Sequence, residues 1–229
     1  MKSGLNEGGH DFRAVVLGAS AGGSEAFAGI LSTLPADFAL PILAVQHLHP
    51  MDDGQFASHL GSVSRLTVAT PRDKRRIDRG RVYVAPSNYH VLVERDGSIA
   101  LSVDEKVNWS RLSIDVLFES PAQTWADSLI AVILSDASAD GAKGTRAVKE
   151  AGGLTIVQDP ASAEYPVMPQ AAIDAGAVDE VLTLEEIGPR LAKLGTLSNT
   201  ELGSRDGERN MNDERIRNSE LRARSERKD

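Results

Sequence analysis

The hydrophobic residues of this chain fall into short apolar runs that alternate with segments of helical spacing. Residues 14–18 form one such run and predict a buried strand, and residues 24–34 repeat their apolar positions at helical intervals. Further strands are predicted at 40–45, 66–69, 82–85, 129–134, 154–157 and 181–182, and helices at 55–60, 112–126 with a break near Pro121, 139–151, 169–175 and 184–194.

This alternation of strands and helices predicts the fold class. Strands that are apolar along their whole length are buried on both faces, which is typical of a parallel sheet covered by helices on both sides. Residues 89–94 and 98–103 flank Arg95-Asp96-Gly97, a sequence typical of a hairpin turn. We therefore expect an α/β fold with a single doubly wound, mostly parallel sheet, helices on both faces and a short antiparallel edge hairpin.

The composition divides the chain into one large domain and two polar ends. With 41% hydrophobic and 25% charged residues, the 229-residue chain is neither fully disordered nor fibrous. Residues 1–12 are predicted to be a flexible leader and residues 13–196 one folded domain. Residues 197–229 contain eight basic and eight acidic residues and no aromatic residue. This composition predicts a charged, disordered tail.

Several classes of function are disfavoured before any motif is considered. The absence of cysteine excludes disulfide scaffolds, thiolate zinc sites and cysteine nucleophiles. No apolar stretch approaches the roughly 20 residues that span a bilayer, and no signal peptide is evident, so we expect a cytoplasmic protein without membrane insertion. The net charge of −8 disfavours binding to nucleic acid.

A serine follows the first predicted strand in a glycine-rich turn. Gly18-Ala19-Ser20-Ala21-Gly22 has the glycine spacing of a nucleophile elbow, a sharp turn that exposes the serine hydroxyl above a sheet. In a different interpretation Ser20 only caps the helix that follows. A dinucleotide site is not supported, because the G-x-G-x-x-G spacing is missing.

Two further strand ends supply a histidine and an aspartate. A serine hydroxyl needs a base to become a good nucleophile, and His47 ends the strand that follows the serine strand. Asp140 follows a third strand and could orient the base, or it could simply cap a helix. A metal site of His47 and His49 with Asp52 or Asp53 is a weaker alternative because a further ligand is missing. We expect no metal and no cofactor.

With these motifs in place, the sequence resembles the catalytic domain of the CheB-type chemotaxis protein-glutamate methylesterases over residues 13–194. The matching blocks are Gly18-Ala19-Ser20-Ala21-Gly22-Gly23, Gln46-His47, Val84-Ala85-Pro86 with His90, Ser113-Ile114-Asp115-Val116-Leu117-Phe118, Asp140-Gly141-Ala142-x-Gly144 and Gln158-Asp159-Pro160 through Met168-Pro169. The resemblance implies the same doubly wound α/β fold.

The resemblance also implies an activity and a set of residues. It assigns Ser20 as nucleophile, His47 as general base and Asp140 as orienting acid, with the loop residues Ala21 and Ala137 at the oxyanion site. The implied reaction removes methyl groups from glutamyl esters on the cytoplasmic helices of chemoreceptors, and some members also deamidate glutamines. His90, Arg111 and Met168 are candidates for contact with the substrate, although His90 also suits a purely structural function in the hairpin. Neither the sequence nor the resemblance indicates an oligomeric state.

The chain departs from the family pattern in two places. Where the family usually reads Leu-Thr-Gly-Met-Gly, this chain has Leu134-Ser135-Asp136-Ala137-Ser138. If Asp136 or Ser138 needs a positive φ, its side chain would be strained, and Asp136 adds a negative charge beside the oxyanion. About twelve residues replace the usual N-terminal receiver domain, so we expect no receiver domain in cis. A catalytically impaired adaptor domain and a small-molecule esterase remain alternatives.

Overall fold

The computed structural model describes residues 12–49, 51–108 and 110–195 of the chain. The predicted leader and tail, residues 1–12 and 197–229, lie outside the described residues except for Phe12. Phe12 is 8% exposed and packs into the hydrophobic core. Phe12, which the predicted boundary places in the leader, therefore packs with the described body.

The described residues form nine strands, six α-helices and one short 3₁₀ helix, Ala126–Ser128. The strands are β1 (Ala14–Ala19), β2 (Ile42–Gln46), β3 (Thr67–Ala69), β4 (Arg81–Val84), β5 (His90–Val93), β6 (Ile99–Ser102), β7 (Leu129–Ile133), β8 (Leu154–Gln158) and β9 (Glu180–Leu182). The helices are α1 (Gly23–Thr33), α2 (Gln55–Val63), α3 (Ile114–Trp125), α4 (Ala142–Glu150), α5 (Val167–Asp174) and α6 (Leu184–Gly195).

Seven of the strands form one sheet in the order β3-β4-β2-β1-β7-β8-β9, and every neighbouring pair is parallel. The chain leaves β1 toward β2 on one side and later returns to β7 on the other side. Strand β1 therefore lies where the strand order reverses. In open α/β sheets this is the point at which a crevice forms at the carboxyl ends of the strands and binds ligands.

The sheet separates two hydrophobic cores. In β1, Val15 and Leu17 belong to the core on one face, whereas Ala14 and Val16 belong to the core on the other. All four residues are fully buried. This burial on both faces explains why the strands are apolar along their whole length, and it confirms the predicted fold class.

Two details differ from the predicted elements. Strands β5 and β6 pair antiparallel, as predicted, but they form a two-stranded sheet of their own and are not joined to the edge of the large sheet. The predicted break near Pro121 is wrong, because α3 continues through this residue to Trp125. Phe118 and Ala122 on either side of Pro121 are buried against the sheet, and this packing outweighs the missing backbone N–H of the proline.

Candidate active site

The three predicted strand ends meet in the crevice beside β1. Ala19, the last residue of β1, pairs with Gln46, the last residue of β2, so Ser20 and His47 follow at neighbouring positions. The His47 N–H donates to the Ala19 carbonyl at 3.2 Å. On the other side, the Ser20 N–H donates to the carbonyl of Ser135, just after β7, at 3.1 Å. The strand register therefore brings all three loops together.

The turn that holds Ser20 requires a glycine two residues later. Gly22 has a φ of +73° and precedes α1, and a Cβ atom placed on it would lie 2.9 Å from the Ser135 Oγ atom. The Ser20 carbonyl accepts hydrogen bonds from the Gly23 N–H at 2.8 Å and from Gln46 Nε2 at 2.6 Å. These contacts fix the turn and leave the Ser20 side chain half-exposed.

Ser20 does not act as a helix cap. The residue at the N-cap of α1 is Gly22, and no side chain caps this helix. Within the part of the chain that the structure describes, the Ser20 hydroxyl makes no hydrogen bond. The hydroxyl is therefore available for chemistry, and the interpretation of Ser20 as a cap is wrong.

His47 and Asp140, 93 residues apart in the chain, form a hydrogen bond. Nε2 of His47 lies 2.9 Å from Oδ2 of Asp140, whose side chain is 1% exposed. The same carboxylate accepts hydrogen bonds from the Ile114 N–H at 2.7 Å and from Ser113 Oγ at 3.1 Å. Asp140 therefore also caps a helix, although the helix is α3 and not α4, which follows it in the chain.

The hydrogen bonds keep the buried Asp140 ionised. Burial alone would raise the pKa of Asp140, but the hydrogen bonds from His47, the Ile114 N–H and Asn108 outweigh burial and hold the pKa below its ordinary value. A permanent negative charge thus lies against one nitrogen of the imidazole. Such a charge orients a histidine base and stabilises the imidazolium that forms when it takes a proton.

Asn108 is a residue of this network that the sequence did not reveal. Its Nδ2 atom donates to Oδ1 of Asp140 at 2.7 Å and to Oδ2 of Asp115 at 2.9 Å. Its φ of +51° lies in the left-handed region, which asparagine tolerates better than most residues. Asn108 lies in a loop without a recognisable hydrophobic pattern. Only the folded structure shows that its amide joins two carboxylates.

Asp115 lies behind Asp140 and connects the site to α4. Its Oδ1 atom accepts a hydrogen bond from the Gly144 N–H at 2.8 Å. Burial raises the pKa of Asp115, and the negative charge of Asp140 adds to this effect, while the Gly144 and Asn108 hydrogen bonds oppose it. The two carboxylates thus share one amide donor but have pKa values displaced in opposite directions.

The other ring nitrogen of His47 faces a second carboxylate. Nδ1 lies 3.6 Å from Oδ2 of Asp136, whose side chain is 4% exposed. Ser138 Oγ donates to the same oxygen at 2.5 Å. Neither Asp136 nor Ser138 is among the residues with a positive φ, so the backbone strain expected from the loss of the family's glycines is absent at both positions.

Two backbone N–H groups of the loops after β1 and β7 have no assigned partner among the described residues. Among the described residues, neither the Ala21 nor the Ala137 N–H donates a hydrogen bond. Ala137 is exposed, while Ala21 is half-buried. Free N–H groups of this kind can stabilise an oxyanion when they lie about 2.7–3.1 Å from it.

The three candidates for substrate contact differ in exposure. His90 is 2% exposed, and its ring lies 3.0 Å from the Glu105 carbonyl through Nε2 and accepts from the Ser113 N–H through Nδ1. Met168 is fully buried, and its N–H donates to the Asp136 carbonyl. These contacts favour structural functions for His90 and Met168. Arg111 is half-buried and donates to the Asp104 carbonyl at 3.0 Å, so it is the most accessible of the three to a substrate.

The alternative metal site does not assemble from the residues named for it. His49 Nδ1 accepts from the Met51 N–H, and Asp52 Oδ2 accepts from the Gly54 N–H, so each is engaged within its own loop. In the described ranges, no three His, Cys, Asp or Glu side chains are arranged to hold a metal ion. A cavity of about 300 Å³ lies beside this loop, with Leu48, Asp52 and Pro86 in its lining.

Among the residues that the structure describes, no helix has the length and apolar character needed to cross a membrane.

The sequence and fold are similar to those of proteins of one family. Residues 15–191 match the family described as CheB methylesterase. A Leptospira interrogans protein, provisionally named protein-glutamate methylesterase/protein-glutamine glutaminase, is 46% identical over 184 residues, which are 80% of this chain and 95% of that protein. Protein-glutamate methylesterase/protein-glutamine glutaminase 3 of Pseudomonas aeruginosa is 38% identical over 187 residues, 82% of this chain but only 56% of that protein.

A solved structure shares the same fold. The catalytic domain of the Thermotoga maritima CheB methylesterase superimposes with a TM-score of 0.77 at 33% sequence identity. The match covers 80% of this chain and 98% of the Thermotoga domain. The sequence and structural matches therefore extend over almost the whole described body.

Proposed function

The chain belongs to the CheB methylesterase family, and we propose that it is a cytoplasmic serine hydrolase that demethylates glutamyl methyl esters on chemoreceptor helices. In this proposal Ser20 is the nucleophile, His47 the general base and Asp140 the orienting acid. The hydrogen bond of 2.9 Å between His47 and Asp140, beside the Ser20 turn, is the observation that carries it. Relatives whose names include glutaminase activity support glutamine deamidation as a second reaction of the same site.

The reaction begins with proton transfer from Ser20 to His47. Because Nε2 of His47 is bound to Asp140, Nδ1 is the nitrogen that takes the hydroxyl proton. The Ser20 oxygen then bonds to the ester carbonyl carbon and the carbonyl oxygen becomes an oxyanion. In the proposed site the N–H groups of Ala21 and Ala137 stabilise this oxyanion.

Two bonds to the acyl carbon break before the free enzyme is restored: first the bond to the methoxy oxygen and then the bond to the Ser20 oxygen. The imidazolium of His47 gives its proton to the leaving methoxide, which departs as methanol and leaves Ser20 acylated by the glutamyl side chain. His47 then takes a proton from water, whose oxygen bonds to the acyl carbon. The bond between the Ser20 oxygen and the acyl carbon breaks, and the imidazolium returns its proton to that oxygen. The products are a free glutamate side chain and the original Ser20 hydroxyl.

The position of the base between strand ends supports this assignment. His47 follows β2 directly, and its N–H is bound to the last residue of β1, so the ring has limited freedom relative to Ser20. A side chain held by a rigid sheet can maintain the geometry that proton transfer requires better than one on a long loop. The half-exposed Ser20 remains accessible to a protein substrate.

Covalent labelling tests the nucleophile and base together. A fluorophosphonate should label the wild-type chain at Ser20, and Ser20→Ala and His47→Ala should abolish the labelling. Ser62→Ala and His59→Ala, at exposed positions of α2, serve as matched controls and should label normally. Labelling that persists in Ser20→Ala would contradict the proposed nucleophile.

Methanol release separates receptor demethylation from the alternatives. Membranes that contain methylated chemoreceptors should release methanol with the wild type and not with Ser20→Ala. Equal background rates from both proteins would favour an adaptor domain. A rate on p-nitrophenyl acetate far above that on receptor membranes would favour a small-molecule esterase.

A further inference from the structure

In the proposed mechanism, Ser20 needs the nitrogen of His47 that faces Asp136 in this structure. Asp140 occupies Nε2, so Nδ1 is the nitrogen that remains to take the proton from Ser20. In this structure Nδ1 faces the Asp136 carboxylate at 3.6 Å, whereas no hydrogen bond joins the Ser20 hydroxyl to the ring among the described residues. The base therefore stands between two carboxylates and is not engaged with its nucleophile.

Asp136 is held firmly in this position. Its N–H donates to the Tyr165 carbonyl and its carbonyl accepts from the Met168 N–H, both at 3.1 Å. The hydrogen bond from Ser138 Oγ fixes the carboxylate oxygen that faces His47. Since the side chain is 4% exposed, solvent and salt screen its charge only weakly.

The contact is favourable for only one form of the imidazole. A neutral ring that donates from Nε2 to Asp140 has a lone pair on Nδ1, and this lone pair would face the negative oxygen of Asp136. A ring that carries both protons forms ion pairs with Asp136 and Asp140. In that doubly protonated form Nδ1 has no lone pair with which to accept the Ser20 proton.

Resting on the proposed function, we propose that Asp136 is a positioning residue that restrains His47 from acting as the base for Ser20. Neutralising Asp136 releases Nδ1 for the nucleophile. A negative charge close to an imidazole favours its protonated form. Loss of the Asp136 charge should therefore move the acid limb of the pH–rate profile to lower pH.

Other charged groups around the ring remain in place when Asp136 is changed. Asp140 faces Nε2, and Asp115 lies behind it through Asn108. Glu164 approaches the Ser20 turn, since a Cβ on Gly22 would lie 2.9 Å from its Oε2 atom. Their contributions are common to the wild type and the variants, so a shift on replacing Asp136 reports on Asp136 itself.

The rate of Ser20 labelling by a fluorophosphonate between pH 5 and 8 tests the inference. Asp136→Asn and Asp136→Gly should both label several-fold faster than the wild type at pH 6, with the acid limb of the pH–rate profile at lower pH. Glu164→Gln removes an exposed carboxylate near the turn and should move the limb much less. An unmoved limb in both Asp136 variants, or rates that fall at every pH, would overturn the restraint.

Nuclear magnetic resonance of the imidazole provides a second measurement that needs no substrate. The chemical shift of His47 Nδ1 should change in Asp136→Asn because the carboxylate that faces this nitrogen is lost, while the shifts of the His49 and His59 rings stay constant. A changed Nδ1 shift in a protein that never labels at Ser20 supports the Asp136 contact and contradicts the proposed hydrolase. An unchanged Nδ1 shift in a protein that labels normally overturns the inference and leaves the proposed hydrolase standing.

Discussion

Asp115 and Asp140 each cap the helix that begins beside the other. Asp115, in the first turn of α3, accepts the Gly144 N–H in the first turn of α4, and Asp140, just before α4, accepts the Ile114 N–H at the start of α3. Carboxylates at helix N-termini satisfy free N–H groups and interact favourably with the helix dipole. The orienting acid of the proposed triad is therefore also a structural element of two packed helices.

Replacing Asp140 by asparagine should separate these two functions. The amide oxygen of Asp140→Asn can still accept the Ile114 N–H, so we expect the fold to be retained. An amide does not stabilise an imidazolium, and we expect the labelling rate of Ser20 to fall by roughly 10³–10⁴. Circular dichroism and labelling kinetics check this prediction. A loss of less than about tenfold in a folded protein would argue against Asp140 as the orienting acid.

Removing the amide of Asn108 should weaken the site through Asp140. Asn108→Gly permits the left-handed φ of +51° but loses both hydrogen bonds, whereas Asn108→Ala also adds backbone strain. Each hydrogen bond to a charged group is typically worth about 1.5–3 kcal/mol. We expect Asn108→Gly to label at least tenfold more slowly, measured as the second-order rate constant.

A third variant at this position distinguishes the amide from mere packing. Asn108→Asp keeps the size of the side chain but places a third carboxylate against Asp115 and Asp140. We expect it to label more slowly than Asn108→Gly at pH 7, because its negative charge opposes the ionised form of Asp140. Equal rates for the aspartate and the asparagine would show that the amide donor is not needed.

Gly22→Ala should impair both the fold and the nucleophile turn. Its positive φ strains any L side chain, and the new Cβ would also lie 2.9 Å from atoms of Ser135 and Glu164. We expect a loss of about 1–3 kcal/mol in the free energy of unfolding and a labelling rate reduced about 10²-fold. Gly97→Ala is the matched control, since Gly97 has a φ of +79° with nothing within 4 Å of the added Cβ. It should lose stability without slowing the labelling.

Asp179 should make folding sensitive to acid. Burial alone would raise its pKa, but hydrogen bonds from Lys149 and Thr155 outweigh burial and lower the pKa below its ordinary value of 3.8. Because the pKa is lower in the folded state, this contribution is complete well above pH 3.8 and is lost as the pH falls through the folded pKa. Urea unfolding at pH 7 and pH 3 should show that Asp179→Asn costs stability mainly at pH 7. Asp37→Asn, at an exposed position, is the control.

The sequence predicted the large features of the fold because they depend on repeated local patterns. The apolar run of β1 and the helical spacing of α1 are visible without any tertiary contact, and parallel strands necessarily end at one edge of a sheet. That edge brought Ser20, His47 and Asp140 into one region. The break expected at Pro121 did not occur, because the local cost of proline was outweighed by tertiary burial, which no short window of sequence contains.

The finer contacts of the site could not be predicted in the same way. The sequence showed that Asp136 replaces a glycine, but its position against Nδ1 of His47 depends on the backbone hydrogen bonds to Tyr165 and Met168. Likewise, nothing in the loop around Asn108 indicates a bridge between two aspartates. Such contacts depend on distances of tenths of an ångström between segments far apart in the chain.

The strand order has a practical consequence for anyone who divides this protein. Ser20 and His47 follow β1 and β2, whereas Asp140 follows β7, so a cut between the hairpin and α3 would place the proposed nucleophile and base on one fragment and the proposed orienting acid on the other. Neither fragment would contain a complete triad. Recovered labelling after mixing the two pieces would then report that the central sheet has reassembled, which makes the chain a candidate split reporter of protein association.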